Sequence, residues 1–280
     1  MKDRAERQET GPHLTAQIDT TVPQSARIWA YWLGGKDNYA IDRQAGDRVA
    51  EILPGIVDAA RHDRAFLGRA VRYLAGEAGI RQFLDVGTGL PTVDNTHEVA
   101  QRIAPDARIV YVDNDPLVLS HARALLTSTP EGACDYIAAD ARDTGLVLSQ
   151  AARTLDFDRP VALMLLGILN HLVDDGEAHA AVEQLAAPLA PGSHVVIAHP
   201  TAELHGETLH EAMRLVMDMG GTPVVARTPA QIAAFFTGLE LLDPGVVSCS
   251  LWRPDPSPWP DPRPVLQYCG VARKTAPACN

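Results

Sequence analysis

The stretch Phe83-Leu84-Asp85-Val86-Gly87-Thr88-Gly89 reads as a buried strand running straight into a glycine turn. Glycine lets the backbone adopt positive φ and lets a ligand approach it closely. An ordinary strand-to-loop turn has the same appearance, so its meaning rests on what surrounds it. Downstream, apolar strands alternate with helical stretches. Candidate strands cover 82–86, 108–113, 134–139, 160–166 and 193–199, and residues 95–104, 116–126 and 176–189 carry helical periodicity. Asn95 with Glu98 forms a capping-box pattern, Pro116 suits a first helical turn, and Thr228-Pro229-Ala230-Gln231 combines both devices. Such alternation implies right-handed crossovers and a parallel sheet covered on both faces.

The carboxy-terminal part differs. Segments 246–252 and 265–273 read as strands joined by a proline-dense loop too short for a crossover helix, so they should pair antiparallel. The expected fold is therefore α/β and Rossmann-like, with a seven-stranded, mostly parallel sheet, an antiparallel last strand and helices on both faces. Residues 1–80 read as an amino-terminal helical or lid segment packed on a core of residues 81–280, one structural domain overall. Within it, residues 61–75 form an amphipathic helix with Phe66, Leu67, Ala70, Val71 and Leu74 on one face. Upstream, Trp29, Tyr31, Trp32 and Tyr39 crowd around Gly34-Gly35.

Composition narrows the function. Hydrophobic residues make up 46% of the 280, enough for a packed core. A net charge of −11 repels a phosphate backbone, and no basic patch offsets it, which argues against nucleic acid. Cys134, Cys249, Cys269 and Cys279 lack CxxC spacing, which points to a reduced compartment and no metal site. The charged start does not resemble a secretory signal. The longest apolar run, 161–169, is far short of the roughly 20 residues a membrane helix needs. The expectation is a cytoplasmic protein without a membrane span.

Two acids give the glycine turn its context. Asp113 closes the second strand, where a carboxylate can accept two hydrogen bonds from a ribose diol; it can equally cap the helix from Pro116. Asp140 closes the third, where it can accept from an adenine amino group beside the Ala141 backbone amide. Asn114 can hold adenine or ribose, or simply shape its turn. All of these fall on the carboxyl-end rim, where open α/β sheets bind ligands. A dinucleotide site calls for Gly-x-Gly-x-x-Gly opening directly into a helix. Here Thr92 replaces the third glycine, and Leu90-Pro91-Thr92-Val93-Asp94 delays the helix to about Asn95. That is a poor phosphate cradle. A sulfonium cation, by contrast, tolerates nearby carboxylates, so S-adenosylmethionine is favoured over NAD.

A family likeness runs through the same residues. Residues 83–140 resemble motifs one to three of class I methyltransferases. The run from Ser25 to Tyr39, Ser-Ala-Arg-Ile-Trp-Ala-Tyr-Trp-Leu-Gly-Gly-Lys-Asp-Asn-Tyr, followed by Asp85-Val86-Gly87-Thr88-Gly89-Leu90-Pro91-Thr92 and Asn95-Thr96-His97-Glu98-Val99-Ala100, is similar to an actinobacterial family. That family is catalogued as S-adenosyl methyltransferases and was earlier a domain of unknown function. The likeness spans roughly residues 21–273. It implies a class I methyltransferase fold and donor binding, with S-adenosylhomocysteine as product, and names no acceptor. Two positions depart from the pattern. Asp63 stands where asparagine is expected, and Asn170 where a histidine is usual, with His171 one place later.

The donor site read from the sequence thus comprises Gly87, Thr88, Gly89, Asp113, Asn114, Asp140, Ala141, Gly167 and Arg64. Gly167 ends the fourth strand, where the methyl faces the acceptor, and Arg64 can grip the donor's carboxylate or lie on a helix surface. No base is singled out. Asn170, His171, Asp174, Asp175, His199 and Tyr39 are the nearby candidates. Trp29, Trp32, Trp252 and Trp259 fall outside the expected sheet core, and either cover the pocket with the proline loop or simply pack the segment onto the sheet. The acidic surface and enclosed rim favour a small-molecule acceptor. A donor-binding sensor without transfer activity and an NAD-dependent oxidoreductase are the alternatives.

Overall fold

A computed structural model describes residues 18–125, 127–256 and 263–276. Five parallel strands carry the sheet: β1 (Gln82–Val86), β2 (Arg108–Asp113), β3 (Ala133–Ala138), β4 (Ala162–Leu166) and β5 (His194–Pro200). Strand β8 (Gln267–Arg273) runs antiparallel to β5. Its other edge pairs with two short pieces, β6 (Glu240–Leu241) and β7 (Val247–Ser248). Both are antiparallel to β8, so they run with β1–β5 and act as one strand interrupted at residues 242–246. The sheet path is β3-β2-β1-β4-β5-β8-β6, seven strands with one reversed, and β7 is the eighth piece off that path.

Burial on both faces explains why these segments are strands. All five residues of β1 and all seven of β5 are buried, the mark of a central parallel strand. On one face, α6 (Thr144–Ala151), α7 (Asp175–Ala186) and α9 (Pro229–Ala234) lie with the core around Leu84, Val110, Leu163 and Val195. The other face packs Phe83, Ile109, Met164 and Val196 under α3 (Ile56–Arg72) and α4 (Thr96–Ile103). Helix α5 (Pro116–Leu125) starts at its proline as expected. The capping boxes at Asn95–Glu98 and Thr228–Gln231 both form.

A third apolar cluster lies outside the sheet. Helix α2 (Ala40–Ile52), the start of α3 and α8 (Gly206–Asp218) pack Val49, Leu53, Ile56, Leu209 and Ala212 together. Helix α1 (Ser25–Trp32) closes on α2. A Cβ on Gly46 would lie 2.9 Å from the Tyr31 ring, and one on Gly35 2.9 Å from the Ala30 carbonyl. Gly35 and Gly46 are therefore close-approach positions, whereas Gly34 is held by its positive φ of 81°. Asp42 ties it together, accepting from the Gln24 and Tyr39 backbone amides at 2.9 and 2.8 Å.

Three expectations need correction. Segment 246–252 is strand only at Val247–Ser248, because the chain turns back at Leu251, whose amide donates to the Ser248 carbonyl. The helix expected at 61–75 begins at Ile56 and ends in a π-helical turn, Tyr73–Glu77. Trp252 is no surface lid residue. Its indole is fully buried, edge-on to Phe66 and Tyr73 at 5.3 and 6.1 Å, and Arg69 donates to its carbonyl. Trp259 lies outside the described residues. Truncation of Trp252 to alanine should cost about 3–5 kcal/mol in denaturant unfolding while leaving ligand affinity of the folded fraction unchanged. A stable variant with altered ligand binding would put Trp252 back at the pocket.

Candidate functional site

Above the carboxyl ends of the strands lies a cavity of about 550 Å³, the size that accepts a cofactor or drug-sized ligand. Its lining includes Arg64, Gly87, Thr88, Gly89, Asp113, Asn114, Asp140, Ala141 and Gly167, so every residue of the sequence-read donor site borders the same cavity.

The glycine turn is held by its neighbours. Gly87 and Gly89 have φ of 78° and 68°, and a Cβ on Gly87 would collide with the Ile168 side chain at 2.5 Å. The amides of Gly87 and Thr88 donate to the Val112 carbonyl. The Gly89 amide donates to Asp113 Oδ2 at 2.8 Å, and the Asp115 amide to Oδ1 at 2.9 Å. Helix α4 is delayed to Thr96, as read from the sequence.

Asp113 therefore fixes the turn and faces the cavity. Burial pushes its carboxyl up, and the Asp115 and Gly89 amides pull it back. A carboxylate has about four acceptor positions, so two remain for a diol. Asp140 lies two residues past the end of β3 and is more fully engaged. Its Oδ1 accepts from the Arg142 amide and Nε, and its Oδ2 from Arg142 Nη2 at 2.7 Å and Asn114 Nδ2 at 3.4 Å. The Arg142 fork holds its carboxyl down at about 2. Accepting from an adenine amino group then requires the long Asn114 contact to yield.

Arg64 is half-buried rather than a free surface arginine. Its Nε and Nη2 donate to the Val93 carbonyl, and Nη2 also reaches Asn95 Oδ1 at 3.1 Å. It thereby pins the loop that covers the glycine turn. Two buried carboxyls flank it. Burial pushes Asp85 up to about 6 against the opposing Thr96 hydrogen bond of 2.6 Å. Burial likewise pushes Asp63 up to about 6, against Gln267 and Arg64. Sequence reasoning passed over Asp85 as a site residue although it stands two places before Gly87. It also missed Asp115 and Thr92, which line the cavity and each bury a side-chain oxygen, Oδ2 and Oγ1, that has no hydrogen-bond partner.

Of the base candidates, Asn170 and His171 line the cavity. Asp174 instead caps α7, and Asp175 pairs with Arg227 at 2.8 Å. His199 lies off the cavity lining, with Nδ1 2.8 Å from the Pro200 carbonyl and Nε2 2.9 Å from Arg227 Nη1. Burial lowers its pKa to about 4, which leaves it a neutral structural link. Tyr39 caps α2 beneath the Arg27 guanidinium. Trp29 and Trp32 both line the cavity. Their rings meet edge-on at 5.7 Å, and Trp32 Nε1 donates to the Gly46 carbonyl, so they cover the pocket and pack the segment at once.

A parallel sheet in this order with one reversed strand, and a glycine turn and acids at its rim, defines the class I methyltransferase fold. The family model described as S-adenosyl methyltransferase matches residues 12–275, and the chain belongs to that family. A DUF574 family protein from Streptomyces avermitilis is 42% identical, with a TM-score of 0.88 over 92% of this chain and 100% of that one. A protein from Thermobifida fusca is 41% identical, with a TM-score of 0.84 over 95% of this chain and 100% of that one. Human N-acetylserotonin methyltransferase, solved with S-adenosylmethionine, shares the fold at 14% identity and a TM-score of 0.50, over 89% of this chain and 62% of that one. No curated protein matches the chain. The protein is an S-adenosylmethionine-dependent methyltransferase. Among the described residues, no helix is long and apolar enough to cross a membrane.

Asp63 gives this site a pH signature. The folded carboxyl keeps its proton to about pH 6, whereas an unfolded one releases it near pH 4. Between these values the folded state binds more protons, so stability falls as pH rises. Asp63→Asn should therefore stabilise the protein at pH 7 by up to about 3 kcal/mol, with the gain vanishing below about pH 4. Urea unfolding across that range checks it, and parallel wild-type and variant profiles would contradict it.

Proposed function

We propose that the cavity wall formed by the ends of β1–β4 binds S-adenosylmethionine and that the protein methylates a small molecule. The observation that carries the donor assignment is the Asp113 carboxylate at the end of β2, bound to the glycine-turn amide and facing the cavity. The residues fit such a ligand in charge. Asp63, Asp85, Asp113, Asp115, Asp140 and Glu177 outnumber Arg64 and Arg142 on the lining, an environment that favours a cation over a phosphate.

In this reading, Asp113 accepts from the ribose hydroxyls, and the Asp140–Ala141 segment with Asn114 borders adenine. The Gly87-Thr88-Gly89 backbone lies under the donor's amino-acid portion. Arg64 reaches its carboxylate, and Gly167 leaves open the space beside the methyl. The bound donor supplies an electrophilic methyl group on sulfur. The chain contributes alignment and exclusion of water, and alignment alone accounts for much of the rate of an in-line displacement. Of the sequence-read base candidates, His171 is the titratable one on the wall. Burial lowers its pKa, which keeps the ring neutral and able to accept a proton near pH 7.

Of the described residues, 18–80 together with α8 serve as the cover of the sheet core that begins at residue 81, and the size of the cavity supports a small-molecule acceptor over nucleic acid. Cys134, Cys249 and Cys269 are unpaired thiols, which supports a cytoplasmic setting. Calorimetry should give tight S-adenosylhomocysteine binding, weakened at least tenfold in Asp113→Ala, with no heat from NADH. Methyl-labelled donor incubated with cell extract should yield labelled small molecules. Donor binding with no labelled product across extracts would favour a sensor, and NADH binding in place of the donor would contradict the site.

A further inference from the structure

We infer that the acceptor half of the cavity takes an uncharged, largely apolar molecule carrying one hydroxyl or amino group, which the Asn170 side-chain amide holds. This rests on the donor half being occupied as proposed above. The cavity is divided by chemistry. Among the described residues, its acids and arginines are Asp63 and Arg64 of α3, Asp85 within β1, Asp113 ending β2 with Asp115 just after it, Asp140 and Arg142 after β3, and Glu177 of α7. Helices α1, α2 and α8, with residues 222–224, contribute no charged side chain to the lining. Instead they present Trp32, Val49, Leu53, Leu209 and Ala212, joined by Leu266 just before β8. These six belong to the third apolar cluster, separate from both sheet-face cores, so the cavity opens directly into the interior of the helical cap.

An ionic acceptor entering that space would shed its water without finding a partner, whereas an apolar one gains by leaving water. One polar group stands at the border. Asn170 is 8% exposed, lines the cavity, and buries its Oδ1 with no hydrogen-bond partner. Buried amide oxygens are nearly always paired, so an orphan on a cavity wall marks a place for a ligand's donor group. The backbone keeps this amide in place. The Val225 amide donates to the Asn170 carbonyl at 2.9 Å, and the next residue, His171, has Nδ1 3.3 Å from the Pro223 carbonyl. Asn170 also follows Gly167 and Ile168 in the turn after β4, and Ile168 packs against Gly87 of the donor wall. A hydroxyl or amine bonded to Asn170 thus sits where the charged and apolar halves meet.

The test uses 1-naphthol, naphthalene-1-sulfonate and 1-methylnaphthalene, titrated into the full chain saturated with S-adenosylhomocysteine and read by calorimetry. The inference predicts 1:1 binding of 1-naphthol and at least tenfold weaker binding of the sulfonate. Asn170→Ala should weaken 1-naphthol three- to tenfold and leave 1-methylnaphthalene unchanged. Ala212→Phe should fill the apolar space and abolish 1-naphthol binding without altering the affinity for S-adenosylhomocysteine. Met213→Trp, at a half-buried position on the same wall, does the same if the first variant folds poorly. Normal S-adenosylhomocysteine binding with no 1-naphthol binding, with equal affinity for the sulfonate, or with no effect of either filling variant would overturn the inference. If S-adenosylhomocysteine itself fails to bind, the donor reading falls. Titration of 1-naphthol into the ligand-free protein and its filling variants then decides the apolar half alone.

Discussion

The hydrogen bond from the Gly89 amide to Asp113 holds together the part of the molecule on which everything else converges. Parallel pairing sets β1 beside β2 with Val86 opposite Val112, which brings the turn after one strand level with the acid ending the other. The turn can lie there because Gly87 has no side chain to strike Ile168. Asp113 then joins two loops by accepting from Gly89 and Asp115 while keeping acceptor capacity toward the cavity. A longer or shorter side chain at 113 would either crowd the turn or lose one loop.

The opposite wall is assembled from remote pieces of chain. Helices α1, α2 and α3 precede the sheet, whereas α8 follows β5, yet α2 and α8 share one apolar cluster. The strand-end wall is polar because strand ends expose backbone groups and short acids. The cap is apolar because its helices bury their inner faces against one another, and the cavity inherits that lining. Asp63 and Arg64 lie where the two meet, next to each other on α3. Keeping a carboxyl buried there costs stability that is lost as pH rises from about 4 to 6, a cost typical of positions kept for a ligand.

How much of this was legible in the sequence depends on the range of the forces involved. Strands β1 and β2 fall on the residues read for them, since a strand buried on both faces is a continuous apolar run bounded by polar loops. The Asn95 and Thr228 caps were legible because capping is local. Rim residues followed from topology, as strand ends of a parallel sheet share one edge. By contrast, β6 is two residues long and carries no periodicity, β7 keeps the antiparallel pairing read for 246–252 but only over two residues, and Trp252 is buried by α3, nearly two hundred residues away. Arg142 was missed because its grip on Asp140 depends on loop geometry, and α8 because nothing in its sequence announces a pocket wall. His199 looked like a candidate base until Arg227, twenty-eight residues on, occupied its free nitrogen.

The central claim is that the donor lies along the ends of β1, β2 and β3 with its ribose on Asp113. A crystal structure of the protein with S-adenosylhomocysteine tests this most directly. The account predicts both ribose hydroxyls within hydrogen-bond distance of Asp113, the adenine beside Ala141, and the amino-acid carboxylate at Arg64. Ligand density away from this rim, or a ribose that makes no contact with Asp113, would contradict it.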